Sequence, residues 1–261
     1  MRGMLYRVEG IVIRSVPYGE GNVIITLLTE EYGKVGLMVR GAKKARSRHA
    51  AVSQLHTYGV YVFYRGSSGS LGTLNDAEVF NAFTAIRADL RLSAYASYFS
   101  ELADRFIPDN EASAFLYSQL LAALEGLQAG KDPRVLSFLL EMKFFTFAGI
   151  APVTDGCARC GKPPEVGDRA AWSAHMGGLL FGPCTTAAPD AIPLPPAAAK
   201  LLPVLQRADL RRIGDIQVKQ ETKNALKQAL RMWMDAHGGV NIKSRNIMEQ
   251  IEAVYDSSEQ S

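Results

Sequence analysis

The residues best placed to do chemistry form one run, Arg40-Gly41-Ala42-Lys43-Lys44-Ala45-Arg46-Ser47-Arg48-His49. Five of the nine residues from Arg40 to Arg48 are cationic and none is acidic. Lysine and arginine neutralise phosphates and release the counterions condensed on nucleic acid, so such a run gives salt-sensitive, sequence-tolerant binding. The alternative is a solvated loop that only keeps the protein soluble. Across residues 32–75 there is no Asp or Glu to offset Lys34, Arg40, Lys43, Lys44, Arg46, Arg48 and Arg65, which favours binding. Tyr58, Tyr61, Phe63 and Tyr64 follow. On an open sheet face they would stack on unpaired bases, but strand aromatics more often pack in a core. Side-chain alternation lets only one pair share a face, Tyr61 with Phe63 or Tyr58 with Tyr64.

A second candidate is the cysteine set. Cys157-x-x-Cys160 has a spacing suited to a metal rather than to a secreted disulfide framework, and a third cysteine, Cys184, follows. Catalytic constellations are missing. His49, His56, His175 and His237 are scattered, with no Ser-His-Asp, Cys-His or His-Glu-x-x-His arrangement, and His237 reads as a helix C-terminal cap. Gly156 to Lys162 fits phosphate-loop spacing, but Pro163 stands where a magnesium-binding hydroxyl is required. The glycine run from Gly66 to Gly72 reads as a hairpin loop. No catalytic residue is expected and the chain reads as a non-enzyme.

The elements that must position these residues change character along the chain. Leu5, Val8, Ile11 and Ile13, then Val23, Ile25 and Leu27, then Val35, Leu37 and Val39 alternate as strands do; Tyr58 to Arg65 and Leu71 to Phe80 complete five. Five short strands with glycine-rich turns predict a small closed barrel, of which the OB-fold is the commonest five-stranded form. After Phe83 the period is helical. Ile86, Leu90, Phe99, Leu102 and Phe106 mark a first segment, Leu116 to Leu127 a second, and Asp132-Pro133 caps a third that ends at Gly149. Residues 152–196, rich in proline and glycine, read as an irregular, zinc-finger-like insert enclosing the cysteines. Helix returns from Ala197 to Ala208 and from Glu221 to Ala236, where Leu226, Leu230, Trp233 and Met234 form an apolar stripe. The expected class is therefore α+β, with an OB-fold domain over 1–81 and an all-α domain over 82–255.

The bulk properties agree. The 261 residues with 48% hydrophobic content suffice for two packed cores. The net charge of +3 says little by itself, because charge acts through its distribution. No apolar run approaches the roughly 18 residues of a membrane span, and no signal-peptide pattern is seen, so a reducing, cytoplasmic setting is expected.

Residues 6–48 carry a series of elements in fixed order: Val12-Ile13-Arg14, the turn Tyr18-Gly19-Glu20, Leu28-Thr29, the turn Gly33-Lys34, and Gly41 with its basic, serine-containing loop. This series resembles the amino-terminal signature of the RecO family, and Lys243-Ser244-Arg245 stands where that family has a Lys-Ser-Arg element before a last short helix. The resemblance implies an OB-fold domain followed by a helical one. It implies a DNA repair and recombination mediator that binds single- and double-stranded DNA, anneals complementary strands, engages RecR, contacts the acidic C-terminal tail of single-strand-binding protein (SSB), and helps RecA load, in the cytoplasm and associated with the nucleoid. Family members commonly hold zinc with two Cys-x-x-Cys pairs. Here the second reads Phe181-Gly182-Pro183-Cys184, so Phe181 replaces a ligand. Cys157, Cys160 and Cys184 are then an incomplete set that either recruits His175 or the weaker Asp190, or folds without metal.

The expected nucleic-acid contacts are Arg14, Lys34, Arg40, Lys43, Lys44, Arg46, Arg48 and Arg65, with Lys243 and Arg245 as second-tier residues that could equally dock the last helix. Rival readings are a general OB-fold single-strand binder without annealing activity and a zinc hydrolase.

Overall fold

The computed structural model describes residues 4–44, 47, 49–66, 71–109 and 111–258. Its chain divides into two compact units, one of Met1–Gly130 with Ile242–Ser261 and one of Lys131–Asn241.

The first unit begins with β1 (Met4–Tyr18), β2 (Asn22–Thr29), β3 (Gly33–Val39), β4 (Tyr58–Arg65) and β5 (Leu71–Asn81). They close into a barrel in the order β1-β2-β3-β5-β4. All neighbours are antiparallel except β3 and β5, which run parallel where Gly36 to Met38 face Leu71 to Thr73. This is the OB-fold. β1 can serve two partners because it is long: Met4 to Ile11 pair with β4 and Gly10 to Tyr18 with β2, and a bulge between Val12 and Arg14 bends it at the transfer. The alternating residues Ile25, Leu27, Val35, Leu37 and Val39 point inward as their period predicts.

Among the described residues, four helices complete this unit: α1 (Thr84–Ala88), α2 (Leu90–Phe106), α3 (Ala114–Gln128) and, from much later in the chain, α7 (Lys243–Ser258). The single helical segment expected after Phe83 is in fact two. Asp89 is extended, ends α1 and caps α2 by accepting from the Leu92 N–H. Ser113 caps α3 in the same way through Leu116. The final helix is sixteen residues, not short, and is fixed to α2 by the Arg91 fork on Glu252, at 3.1 and 2.7 Å. The Gly33-Lys34 turn fastens the barrel to the segment around α2 and α3. Gly33 has φ +61°, and a Cβ there would lie 2.3 Å from the Glu111 carbonyl oxygen, so only glycine fits.

The second unit packs α4 (Pro133–Phe147), α5 (Pro196–Arg207) and α6 (Gln220–His237). The Asp132 carboxylate caps α4 and also pairs with Lys223 at 2.8 Å, while Pro133 occupies the first turn. α4 is buried on nearly every side, including Lys143, whose ammonium donates to the Leu205 and Gln206 carbonyls at 3.2 and 2.6 Å. Residues 152–196 are more regular than the sequence suggests. They hold an antiparallel sheet in the order β7-β6-β8, with β6 Ala170–Ser173, β7 Gly178–Phe181 and β8 Ile192–Leu194. Trp172 of β6 meets Trp233 of α6 edge-on at 5.5 Å, and Trp233 donates to the Ile150 carbonyl. His237 does sit at the end of α6, but its Nε2 lies 2.9 Å from the Ala174 oxygen and its ring packs on Trp233, so it ties helix to insert. Among the described residues no helix is long and apolar enough to cross a membrane.

Candidate nucleic-acid interface and cysteine cluster

The basic loop leaves β3 at Arg40 and turns at once, because Gly41 adopts φ +67°. Its start is stapled to the β1–β2 turn. The Asn22 side-chain oxygen accepts from the Gly41 N–H at 2.9 Å, and the Lys43 N–H donates to the Gly21 carbonyl at 3.0 Å. Successive turns follow, Lys44 N–H to Gly41 and Ser47 N–H to Lys44. Ala42 and Val52 sink into the barrel core and anchor the loop at both ends. Arg40, Lys43 and Lys44 are left exposed and, among the described residues, make no ion pair. The stapled start of the loop thus presents three cations without an ion pair, which suits phosphate contact. Arg46 and Arg48 lie outside the described residues.

The other expected contacts scatter. Arg14 is exposed on β1 at the bulge, and Arg65 is half-buried at the end of β4. Lys34 departs from expectation: its side chain is only 11% exposed, its ammonium lies 2.8 Å from Asp109 and 3.8 Å from Asp104, and it donates to the Asp104 carbonyl at 2.9 Å. That cation is engaged within the fold, which argues against a DNA contact. Lys243 is exposed and Arg245 half-buried in the first turn of α7. The backbone of this turn is captured by Glu101, which accepts from the N–H of Lys243 at 3.1 Å and of Ser244 at 2.7 Å.

The aromatic pairs separate as alternation requires. Tyr61 and Phe63 are each 1% exposed inside the barrel, where the Tyr61 hydroxyl donates to the Val52 carbonyl and Phe63 stacks on Tyr6. Tyr58 lies on the outer face but donates to Glu9 at 2.5 Å, and burial followed by that carboxylate pushes its pKa up to about 12. Tyr64 is 48% exposed. Two site roles are additions to the sequence reading: that of Asn22, and that of Tyr18, named above only for its place in the Tyr18-Gly19-Glu20 turn. Asn22 positions the loop, and Tyr18, its register partner across the β1–β2 turn, is 55% exposed beside it. An asparagine closing a glycine turn was the signal for the first; nothing in the spacing marks the second.

In the second unit the Sγ atoms of Cys157, Cys160 and Cys184 all lie within 4.8 Å of one another. A tetrahedral zinc ion with sulfurs at about 2.3 Å needs them about 3.8 Å apart, so the trio fits after small adjustment. Burial raises the Cys157 thiol, but backbone N–H groups of Cys160, Phe181 and Arg159 outweigh it and bring the pKa down to about 7. Position 181 therefore acts through its amide, while the ring of Phe181 packs beside the cluster. Neither proposed substitute ligand joins. Asp190 instead accepts from the Ser173 hydroxyl at 2.6 Å and the His175 N–H at 2.9 Å, and His175 is not in the cluster.

Fold and loop together define the class: an OB-fold protein with an appended helical unit, a cationic surface loop and a thiol cluster. Two family models match, Recombination protein O N terminal over residues 1–83 and Recombination protein O C terminal over 87–246. Relatives named DNA repair protein RecO include those of Bacillus pumilus, 39% identical over 96% of both chains, and Bacillus subtilis, 38% identical over 96% of both. That of Exiguobacterium sibiricum is 40% identical over 95% of this chain and 98% of its own. The chain belongs to the RecO family, and its role is in DNA repair and recombination.

Proposed function

We propose that the protein binds single- and double-stranded DNA through the barrel and its basic loop and anneals complementary strands without nucleotide or turnover. The observation that carries this reading is the loop: three described, exposed cations without acidic partners on a backbone stapled by Asn22 and Gly21. Lys43 and Lys44, with Arg46 and Arg48, screen phosphate repulsion between two strands. Tyr18 beside the loop is the stacking candidate that holds a base open. Lys243 and Arg245 are secondary contacts. The family resemblance supports RecR and the acidic tail of single-strand-binding protein as partners, and loading of RecA as the outcome. In the second unit Cys157, Cys160 and Cys184 would hold a zinc ion, which supplies a structural cross-link there.

The test is the annealing rate of complementary fluorescent oligonucleotides, without ATP, for wild type and for a variant with Lys43, Lys44, Arg46 and Arg48 replaced by alanine. Acceleration lost in the variant is expected. Strand binding without acceleration at low salt would leave a general OB-fold binder.

A further inference from the structure

We propose that a cleft between β1 and α2 in the first unit is a binding site for a phosphate group. It rests in part on the DNA-binding reading above, which supplies the source of that phosphate. The cleft has a volume of about 250 Å³ and is lined by Arg14 from β1, Leu55 from the segment before β4, and Ser97, Ser100 and Arg105 from α2. Ser100 is 2% exposed, yet its hydroxyl has no hydrogen-bond partner. A buried polar group in that condition points to a missing partner. The two carboxylates that also line the cleft are already engaged. Glu101 accepts three hydrogen bonds from Lys243 and Ser244, and Asp104 lies beside Lys34. Arg105 makes a long ion pair with Glu101, Nε at 3.8 Å and beyond hydrogen-bond reach, which leaves its donors open, and Arg14 makes no ion pair among the described residues. Two arginines and two serines, Arg14 from β1 and the others from α2, therefore line one small space. Donors arriving from several sides suit the tetrahedral oxygens of phosphate better than a planar carboxylate, and arginine forks bind phosphate bidentately.

The source is a strand-end phosphate, an internal phosphodiester or free phosphate, and one experiment separates them. Inorganic phosphate is titrated calorimetrically into the full-length protein, and affinities are measured for 5′-phosphorylated and 5′-hydroxyl oligonucleotides. Wild type is compared with R14Q, R105Q, S100A and the K43A/K44A pair. The expected result is phosphate binding weakened roughly tenfold by either arginine substitution and by clearly less in K43A/K44A. S100A should weaken phosphate binding without lowering Tm, because it removes an unpartnered buried hydroxyl. A 5′-phosphate advantage that R105Q abolishes identifies the strand end, and equal losses on both oligonucleotides identify an internal phosphodiester. Phosphate binding lost in R105Q by a protein that binds no oligonucleotide keeps the cleft as a free-phosphate site and removes the DNA reading. No phosphate binding and unchanged oligonucleotide affinity in R105Q, with K43A/K44A still impaired, overturn the cleft and leave the DNA reading standing.

Discussion

Ser244 gives Glu101 both its backbone N–H, at 2.7 Å, and its hydroxyl, at 2.6 Å, across 143 residues of sequence. A carboxylate from α2 thereby caps the amino-terminus of α7, doing from another helix what an N-cap side chain does locally. The central residue of the Lys-Ser-Arg element is thus a docking residue. E101A should lower unfolding stability by about 1–2 kcal/mol, read from urea midpoints. Burial raises the Glu101 pKa, but the hydrogen bonds from Ser244 and Lys243 prevail and hold it below the usual carboxylate range. Its contribution is present above the unfolded-state pKa and disappears as pH falls through the folded one, so E101Q should flatten the acid limb of the stability profile. An unchanged limb would place that proton uptake elsewhere.

His56 gives a second acid dependence at a higher pH. It is buried, with φ +69°, and burial, reinforced by Arg87 and opposed by the Ala96 backbone, lowers its pKa from 6.5 to about 4. The folded state therefore refuses a proton that the unfolded state takes. Stability is complete above 6.5 and falls as pH drops toward 4, by up to about 3 kcal/mol. His56→Asn tolerates the left-handed backbone and removes the titration. Melting temperatures between pH 7 and 4.5 should decline less steeply for H56N than for wild type.

Lys34 separates structure from DNA contact. With its ammonium held by Asp109 and Asp104, K34M should cost about 1.5–3 kcal/mol. The slope of DNA affinity against salt should stay unchanged, whereas each loop contact removed should reduce it by about 0.7 for single strands. A shallower slope in K34M would return Lys34 to the interface.

The cysteine trio predicts one zinc ion per chain, released by chelator with a fall in Tm of the second unit. C160S should lose the metal. Phe181→Cys should restore a fourth sulfur and tighten binding, measured by competition with a chromophoric chelator; no gain would mean that position 181 cannot turn its side chain toward the cluster.

Much of this was legible in the sequence because period and turn chemistry act locally. Alternation in β1 to β5 and the Gly41 turn gave the barrel and its loop, and Asp132-Pro133 gave the start of α4. What stayed hidden depends on distant partners. Lys34 looks like its neighbours in the basic stretch until Asp104 and Asp109 arrive from 70 or more residues away. The strands β6 to β8 are three or four residues each, too short for alternation to register. Nor could residue order show that α7 leaves its neighbours in sequence to pack with α2.

That return of α7 sets an order of assembly during synthesis. Lys131–Asn241 is contiguous and can fold as soon as it clears the ribosome, although it is made second. The unit begun first must wait, its α2 flank uncovered around Glu101 and Arg91, until Ser244 and Glu252 emerge. The unit begun first is completed only by residues translated after the whole of the second.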